Sequence, residues 1–381
     1  MNILIVKLSP IETITSSMFR TLAIARGLQE AGNEVDMLVV PYNGMTAVAN
    51  QKDFIDKIRV IRTGKNEAYA KLSERQREEK KPKWYVNVIK QIWHKLSVYD
   101  YTYSIIRNLR IDILPRKKYD IVISSSDPKT AHLAVERFAR QGLKYGKWIE
   151  YWGDPLALDI TRVNIWPKYV LKRIEERLIK NADKIVYVSP FTLKEQKKLF
   201  PKMSAKMTFL PVAYMDEEVF PKTDNRRFVI GYYGNYEQRV RNLIPLYNAC
   251  NRIGQRVDAT FYGDSDMVLE STDSVHVFPR GIVDAHKARA DLLVCVLNSS
   301  GTQIPGKLYH LAGTNKKVLV IVDGEYADEM KSYLESFDRF YICDNNEESI
   351  VNKIEDIIED KRTFEPTEDL RYDRIAEELI K

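Results

Sequence analysis

Twelve short apolar runs, separated by stretches of helical spacing, recur along almost the whole chain. Six fall at 2–6, 35–40, 58–62, 119–124, 148–152 and 184–189, and six at 228–233, 258–263, 275–278, 291–297, 318–322 and 340–343. Strands that alternate with helices pair in parallel through crossover connections, so this rhythm predicts an α/β architecture of doubly wound parallel sheets. A turn-rich segment with two prolines, 210–227, divides the runs into two sets. The expectation is two domains, 1–212 and 213–365, with a charged helix at 366–381 crossing back onto the first. Open α/β sheets bind ligands at the carboxyl ends of their strands. Two such edges facing across a cleft would close over two substrates and exclude water.

At 381 residues the chain exceeds what one compact core organises, which again favours two domains. A hydrophobic content of 44% with 29% charged residues is that of a globular protein, and no apolar run approaches the roughly 18 residues that span a bilayer. MNILIV enters a strand without the basic start and small-residue cleavage site of a secretory signal, so a cytoplasmic protein is expected. Cys250, Cys295 and Cys343 lie far apart, with no CxxC pair and no His at ligand spacing. They read as reduced core residues.

Charge is uneven. Between Arg59 and Lys118 stand 16 Lys and Arg against 6 Asp and Glu, an excess larger than the +6 of the whole chain. Within it, Trp84, Val88, Ile89, Ile92, Trp93 and Leu96 fall on one helical face beside Lys90 and Lys95. Such a helix suits an anionic membrane surface, its aromatics at the headgroups and its cations among the phosphates. The same face would also serve to pack on the domain beneath. The basic segment, 80–110, is thus a candidate for peripheral membrane contact. It matches no nucleic-acid module, and no nucleic-acid partner is expected.

Residues 301–321, GTQIPGKLYHLAGTNKKVLVI, follow the strand-like ADLLVCVLNSS and complete a βαβ unit. Its helix is opened by Pro305 and Gly306 and carries Lys307 in the first turn, a place that favours phosphate. Gly231 and Gly234 flank Tyr232 and Tyr233 at the end of the second set's first strand, where a missing Cβ lets backbone approach a phosphate closely. Asn235 follows, and Arg239 and Arg241 stand in EQRVRN; a guanidinium fork matches phosphate oxygens. In the first set, WIEYWGDPLALD places Asp154 just past a strand, projecting from the carboxyl edge. An acid there receives a hydroxyl proton or hydrogen-bonds a sugar, or else stabilises a turn before Pro155. Glu150, within the strand, is the alternative acid. GDSD at 263–266 resembles an Asp-x-Asp metal motif but follows a parallel strand, so it reads as a loop. The Ser and Thr hydroxyls of 9–17 read as caps for a helix beginning near Ser17.

The order ADKIVYVSP, LPVAYMDEEVF, GYYGN with RVRN, and ADLLVCVLNSSGTQIPGKLYHLAGTNKKVLVI resembles the GT-B glycosyltransferases. Within them it is most similar to the family 4 type that builds bacterial capsule, O-antigen and other surface polysaccharides. The likeness runs from Met1 to about Cys343, strong from Tyr145 onward and weak between Gly44 and Lys118. It implies two Rossmann-like domains, a nucleotide-diphosphate sugar held by the second, an acceptor held by the first, and no required metal or other cofactor. It implies that Asp154, Arg241 and Lys307 are catalytic, the two cations stabilising the departing diphosphate. Donor contacts would fall to Gly234, Asn235, Arg239, Thr302, Gln303, Pro305, Gly306, Tyr309 and His310, with Ile304 shaping the loop. One departure is plain. Many relatives carry Glu-x7-Glu where this chain has Thr302 and His310, and an imidazole brings no fixed negative charge to a ribose hydroxyl.

The expected activity is transfer of a hexose-type sugar from a nucleotide diphosphate to a hydroxyl of a lipid-linked oligosaccharide or polysaccharide. Retention is favoured over inversion, and the inner face of the cell membrane is the expected location. A sugar-nucleotide epimerase of the same fold, and a catalytically silent nucleotide-sugar-binding partner of a transferase, are the alternatives.

Overall fold

The computed structural model describes residues 1–13, 15–41, 52–63, 96–99, 102–159 and 165–381; the basic stretch 80–95 lies outside them. The chain forms two compact units, Met1–Ala213 with Tyr372–Lys381, and Tyr214–Arg371.

In the first unit seven strands form one parallel sheet: β1 (Asn2–Val6), β2 (Glu34–Val39), β3 (Arg59–Arg62), β4 (Lys118–Ser125), β5 (Lys144–Trp152), β6 (Lys184–Tyr187) and β7 (Met207–Phe209). Their spatial order is β3-β2-β1-β4-β5-β6-β7, so the winding reverses between β1 and β4. Ile3, Leu4, Ile5 and Val6 are wholly buried, as a strand covered by helices on both faces requires. The first helix, Ser16–Glu30, is capped by the Thr15 hydroxyl, which accepts from the Met18 amide at 3.3 Å. Capping thus falls to a hydroxyl of 9–17, as the sequence suggested, and the Ser17 hydroxyl accepts from Lys7 instead.

The last helix, Tyr372–Ile380, packs on Ser16–Glu30 and buries Ile375, Ala376 and Leu379. Gly27 permits this: a Cβ there would stand 2.5 Å from the Tyr372 carbonyl and 2.6 Å from the Ala376 Cβ. The Arg26 guanidinium lies 4.3 Å over the Tyr372 ring, whose hydroxyl donates to Glu30 at 2.8 Å. Burial of Ile375 and Leu379 is worth roughly 1.5–3 kcal/mol each.

The second unit holds β8 (Phe228–Tyr233), β9 (Val257–Tyr262), β10 (Val275–Phe278), β11 (Leu292–Val296), β12 (Lys317–Val322) and β13 (Tyr341–Asp344). They form a parallel sheet in the order β10-β9-β8-β11-β12-β13, reversing between β8 and β11. All twelve apolar runs are thus strands; the one the sequence did not signal is the three-residue β7. The three cysteines are buried and unpaired, and burial pushes the Cys250 and Cys343 thiols up to about 12. Among the described residues no helix is long and apolar enough to cross a membrane.

Candidate functional site

In the second unit β8 and β11 are neighbours, so the loops that leave their carboxyl ends lie side by side where the winding reverses. The Arg241 guanidinium spans them. Its Nη1 donates to the Asn235 carbonyl at 3.0 Å and its Nη2 to Asn298 Oδ1 at 2.8 Å, while Nε is buried without a partner. Asn298 in turn donates to the Gln303 carbonyl at 3.4 Å. These bonds fix the direction of the cation before any ligand arrives.

Lys307 is the second cation. Its Nζ is buried with no hydrogen-bond partner and lies 4.7 Å over the Tyr232 ring and 5.8 Å from the Tyr233 ring. A Cβ at Gly234 would stand 3.2 Å from that nitrogen, so the glycine gives the ammonium its room. Burial pushes the Lys307 amine down to about 7, and Arg241 and Lys287 act in the same direction. A buried amine with no counter-charge suits an anion that has yet to bind.

The other expected donor contacts divide. Thr302, Gln303 and Ile304 are buried, and both amide atoms of Gln303 lack partners. Pro305 and Gly306 open the helix Gly306–Ala312, whose seven residues make only a weak dipole, so the positive charge resides mainly in side chains. Asn235 is exposed and its Oδ1 accepts from the Asp264 amide at 3.2 Å. Arg239 is exposed, and its carbonyl accepts from the Ser299 hydroxyl at 2.8 Å. Tyr309 faces the core: it is 1% exposed and its hydroxyl meets that of Tyr333 at 3.2 Å. Burial holds the His310 imidazole down to about 4, so it is neutral. At Gly231 the room is taken by the Tyr233 ring rather than left for a phosphate. In GDSD the Asp266 carboxylate supports the neighbouring loop, accepting from the Gln238 amide at 2.9 Å.

In the first unit Asp154 lies past β5 in a basin that the sequence only hinted at. Lys7, at the end of β1, donates to the carbonyls of Ser126 and Asp127 at 3.1 and 2.6 Å and to the Ser17 hydroxyl at 3.0 Å. Arg20 also donates to the Ser126 carbonyl, and its guanidinium fills the space a side chain at Gly153 would need. The Gly153 amide donates to the Ser126 hydroxyl at 2.9 Å. Lys129 reaches Asp127 at 2.8 Å and Asp159 at 3.6 Å. Burial would raise Asp127, yet Lys129, with Arg20 and Lys7, holds that carboxyl below its ordinary range. Asp154 goes the other way: burial first, then Asp127 and Asp159, push it up to about 6 against Lys129 and Arg20. The clue in the sequence was a charged residue within two positions of the end of each of two strands, in MNILIVK and SSSDPK. Glu150 is set aside. It is 0% exposed, accepts from the Trp152 indole at 2.9 Å beside the buried His132, and is raised well above the carboxylate range by burial.

No family model and no curated protein matches the sequence. Solved structures do. HepE from Anabaena, in complex with UDP, superposes with a TM-score of 0.56 at 12% identity, over 100% of this chain and 94% of that one. A glycosyltransferase from Rickettsia africae gives 0.56 at 13% identity over 99% and 92%, and sucrose-phosphate synthase from Thermosynechococcus elongatus 0.56 at 13% over 100% and 94%. With two doubly wound parallel sheets and these structural neighbours, the chain has the GT-B glycosyltransferase fold.

Proposed function

We propose that this chain is a glycosyltransferase that takes a sugar from a nucleotide diphosphate and passes it to a hydroxyl. The observation that carries the reading is the buried, unpartnered Lys307 ammonium beside an Arg241 guanidinium already locked in place. Two fixed cations at the carboxyl edge of a doubly wound sheet fit a diphosphate, and they stabilise the charge that grows on it as the anomeric bond breaks. That positive charge also supports a reaction without a required metal. The UDP bound to HepE supports a nucleotide donor of this class.

On the first unit Asp154 is the acid that would meet a hydroxyl. Under retention, favoured by the resemblance, it hydrogen-bonds the sugar while the leaving phosphate oxygen takes the acceptor's proton; under inversion Asp154 takes that proton itself. A lipid-linked or polysaccharide acceptor at the inner face of a membrane is supported by exposed apolar and aromatic side chains on two segments of this unit. Leu96, Tyr103, Ile165, Trp166 and Tyr169 are all exposed, the Trp166 indole donating to the Leu96 carbonyl at 2.7 Å. Arg107, Lys168 and Arg173 are exposed on the same two segments. Exposed aromatics with cations suit anionic headgroups.

A thermal-shift panel of UDP, GDP, TDP and CMP against wild type and Lys307→Ala tests the donor site, since a ligand that binds only the folded state raises Tm. At least one nucleotide should stabilise the wild type and lose that effect in the variant. Stabilisation by none would sink the reading; turnover of a nucleotide sugar with no acceptor, giving an epimerised sugar, would replace it with an epimerase.

A further inference from the structure

Among the described residues the basin of the first unit holds three carboxyls, Asp127, Asp154 and Asp159, and Lys129 is the ammonium that forms ion pairs there. Asp127 and Asp159 share the Lys129 nitrogen at 2.8 and 3.6 Å. Among the described residues Asp154 makes no such pair, and its carboxyl forms no hydrogen bond. The turn that carries Asp127 and Lys129 is pinned from below, because the buried Lys7 and Arg20 both donate to its carbonyls. Neither Asp127 nor Lys129 can drift without breaking those bonds.

We propose that Lys129 is a positioning residue for Asp154: by pairing with Asp127 and Asp159 it leaves the Asp154 carboxylate free to accept a hydrogen bond from a sugar hydroxyl. Three clustered carboxyls without a cation would not all ionise near neutrality, and the free one would keep its proton. Among the described residues the charged groups that face Asp154 are Asp127 and Lys129 from the turn after β4, Asp159 from its own loop, and Arg20 from the helix Ser16–Glu30, with Lys7 acting through Asp127. Asp154 titrates near 6, so it is largely ionised at neutral pH only while this balance holds. The inference rests on Asp154 serving the reaction proposed above.

The test is a pH titration of the full-length protein labelled at aspartate ¹³Cγ, with the Asp154 signal identified by its loss in Asp154→Asn. Lys129→Met should move the Asp154 midpoint up by about one unit or more, because a cation is removed. Lys129→Arg should leave it within a few tenths of a unit. Asp159→Asn should move it down, since a like charge goes and Lys129 is released toward Asp154. Those opposite signs are what mere packing would not give. An unmoved midpoint in Asp159→Asn overturns the proposal even where Lys129→Met fails to fold. Turnover of the nucleotide sugar found in the thermal-shift panel separates the two claims. Wild-type turnover in Asp154→Asn removes Asp154 from the reaction; lost turnover there, with an unmoved midpoint in Asp159→Asn, removes only Lys129.

Discussion

Lys307 makes donor affinity depend on pH in a direction that can be worked out. An amine held at about 7 instead of 10.5 reflects roughly 5 kcal/mol of disfavour for the charged form in the empty site. The sign follows from proton counts. Between about pH 7 and 10.5 the unfolded chain binds the Lys307 proton and the folded chain does not, so this group's contribution to stability rises with pH and is lost below 7. A bound diphosphate reverses the preference by supplying the missing counter-charge. The complex then holds a proton that the free protein lacks, and affinity falls as pH rises. For a free-state value of about 7 the dissociation constant should rise about 50-fold between pH 7 and 9, with almost one proton taken up on binding at pH 8. Isothermal titration with UDP in two buffers of different ionisation enthalpy measures both quantities. Lys307→Arg, whose guanidinium stays charged throughout, is the control for titration of the ligand, and its affinity should change less than about threefold. A wild-type affinity that is flat over this range, or a Lys307→Arg variant with the same slope, would refute the argument.

Three further predictions follow from particular contacts. A Cβ at Gly263 would collide with the Gly234 carbonyl, so Gly263→Ala should displace the loop beside Lys307 at a cost of about 1–3 kcal/mol and weaken the thermal shift given by nucleotide. Gly27→Ala gains about 1 kcal/mol of helix propensity but overpacks the contact with Tyr372 and Ala376 by about 1–3 kcal/mol; differential scanning calorimetry should show a Tm lower by a few degrees. The double variant Trp166→Ala, Tyr169→Ala should reduce flotation with vesicles of anionic phospholipid and leave nucleotide-induced stabilisation intact; unchanged flotation would count against these side chains as the membrane contact.

The strands were legible because a parallel strand covered on both faces must be apolar along its length, and runs such as VLVIV at 318–322 have no other reading. Where that condition lapses the signal fades. The first half of β5, Lys144–Trp152, is partly exposed and polar, and only its buried end from Trp148 was marked in advance. The placement of Lys307 and Arg241 on the adjacent connections after β11 and β8 followed from strand order, since the switch between β8 and β11 puts both at one edge. The inward turn of Tyr309 did not, because a helix of seven residues leaves too few turns to reveal which face is buried. Nor did the basin around Asp154. Its members come from positions as far apart as Lys7, Asp127 and Asp159, and only the pairing of β1, β4 and β5 brings them together.

The helix Tyr372–Ile380 has a consequence for the order of assembly. The second unit, Tyr214–Arg371, is one uninterrupted stretch and holds all its parts as soon as residue 371 is made. The first is complete only when Tyr372–Lys381 arrive to cover Gly27 and its neighbours. A chain that stops before Tyr372 therefore leaves an apolar groove on a nearly finished domain, a sticky surface that chaperones and proteases recognise. The helix Tyr372–Ile380 acts as a seal over that groove.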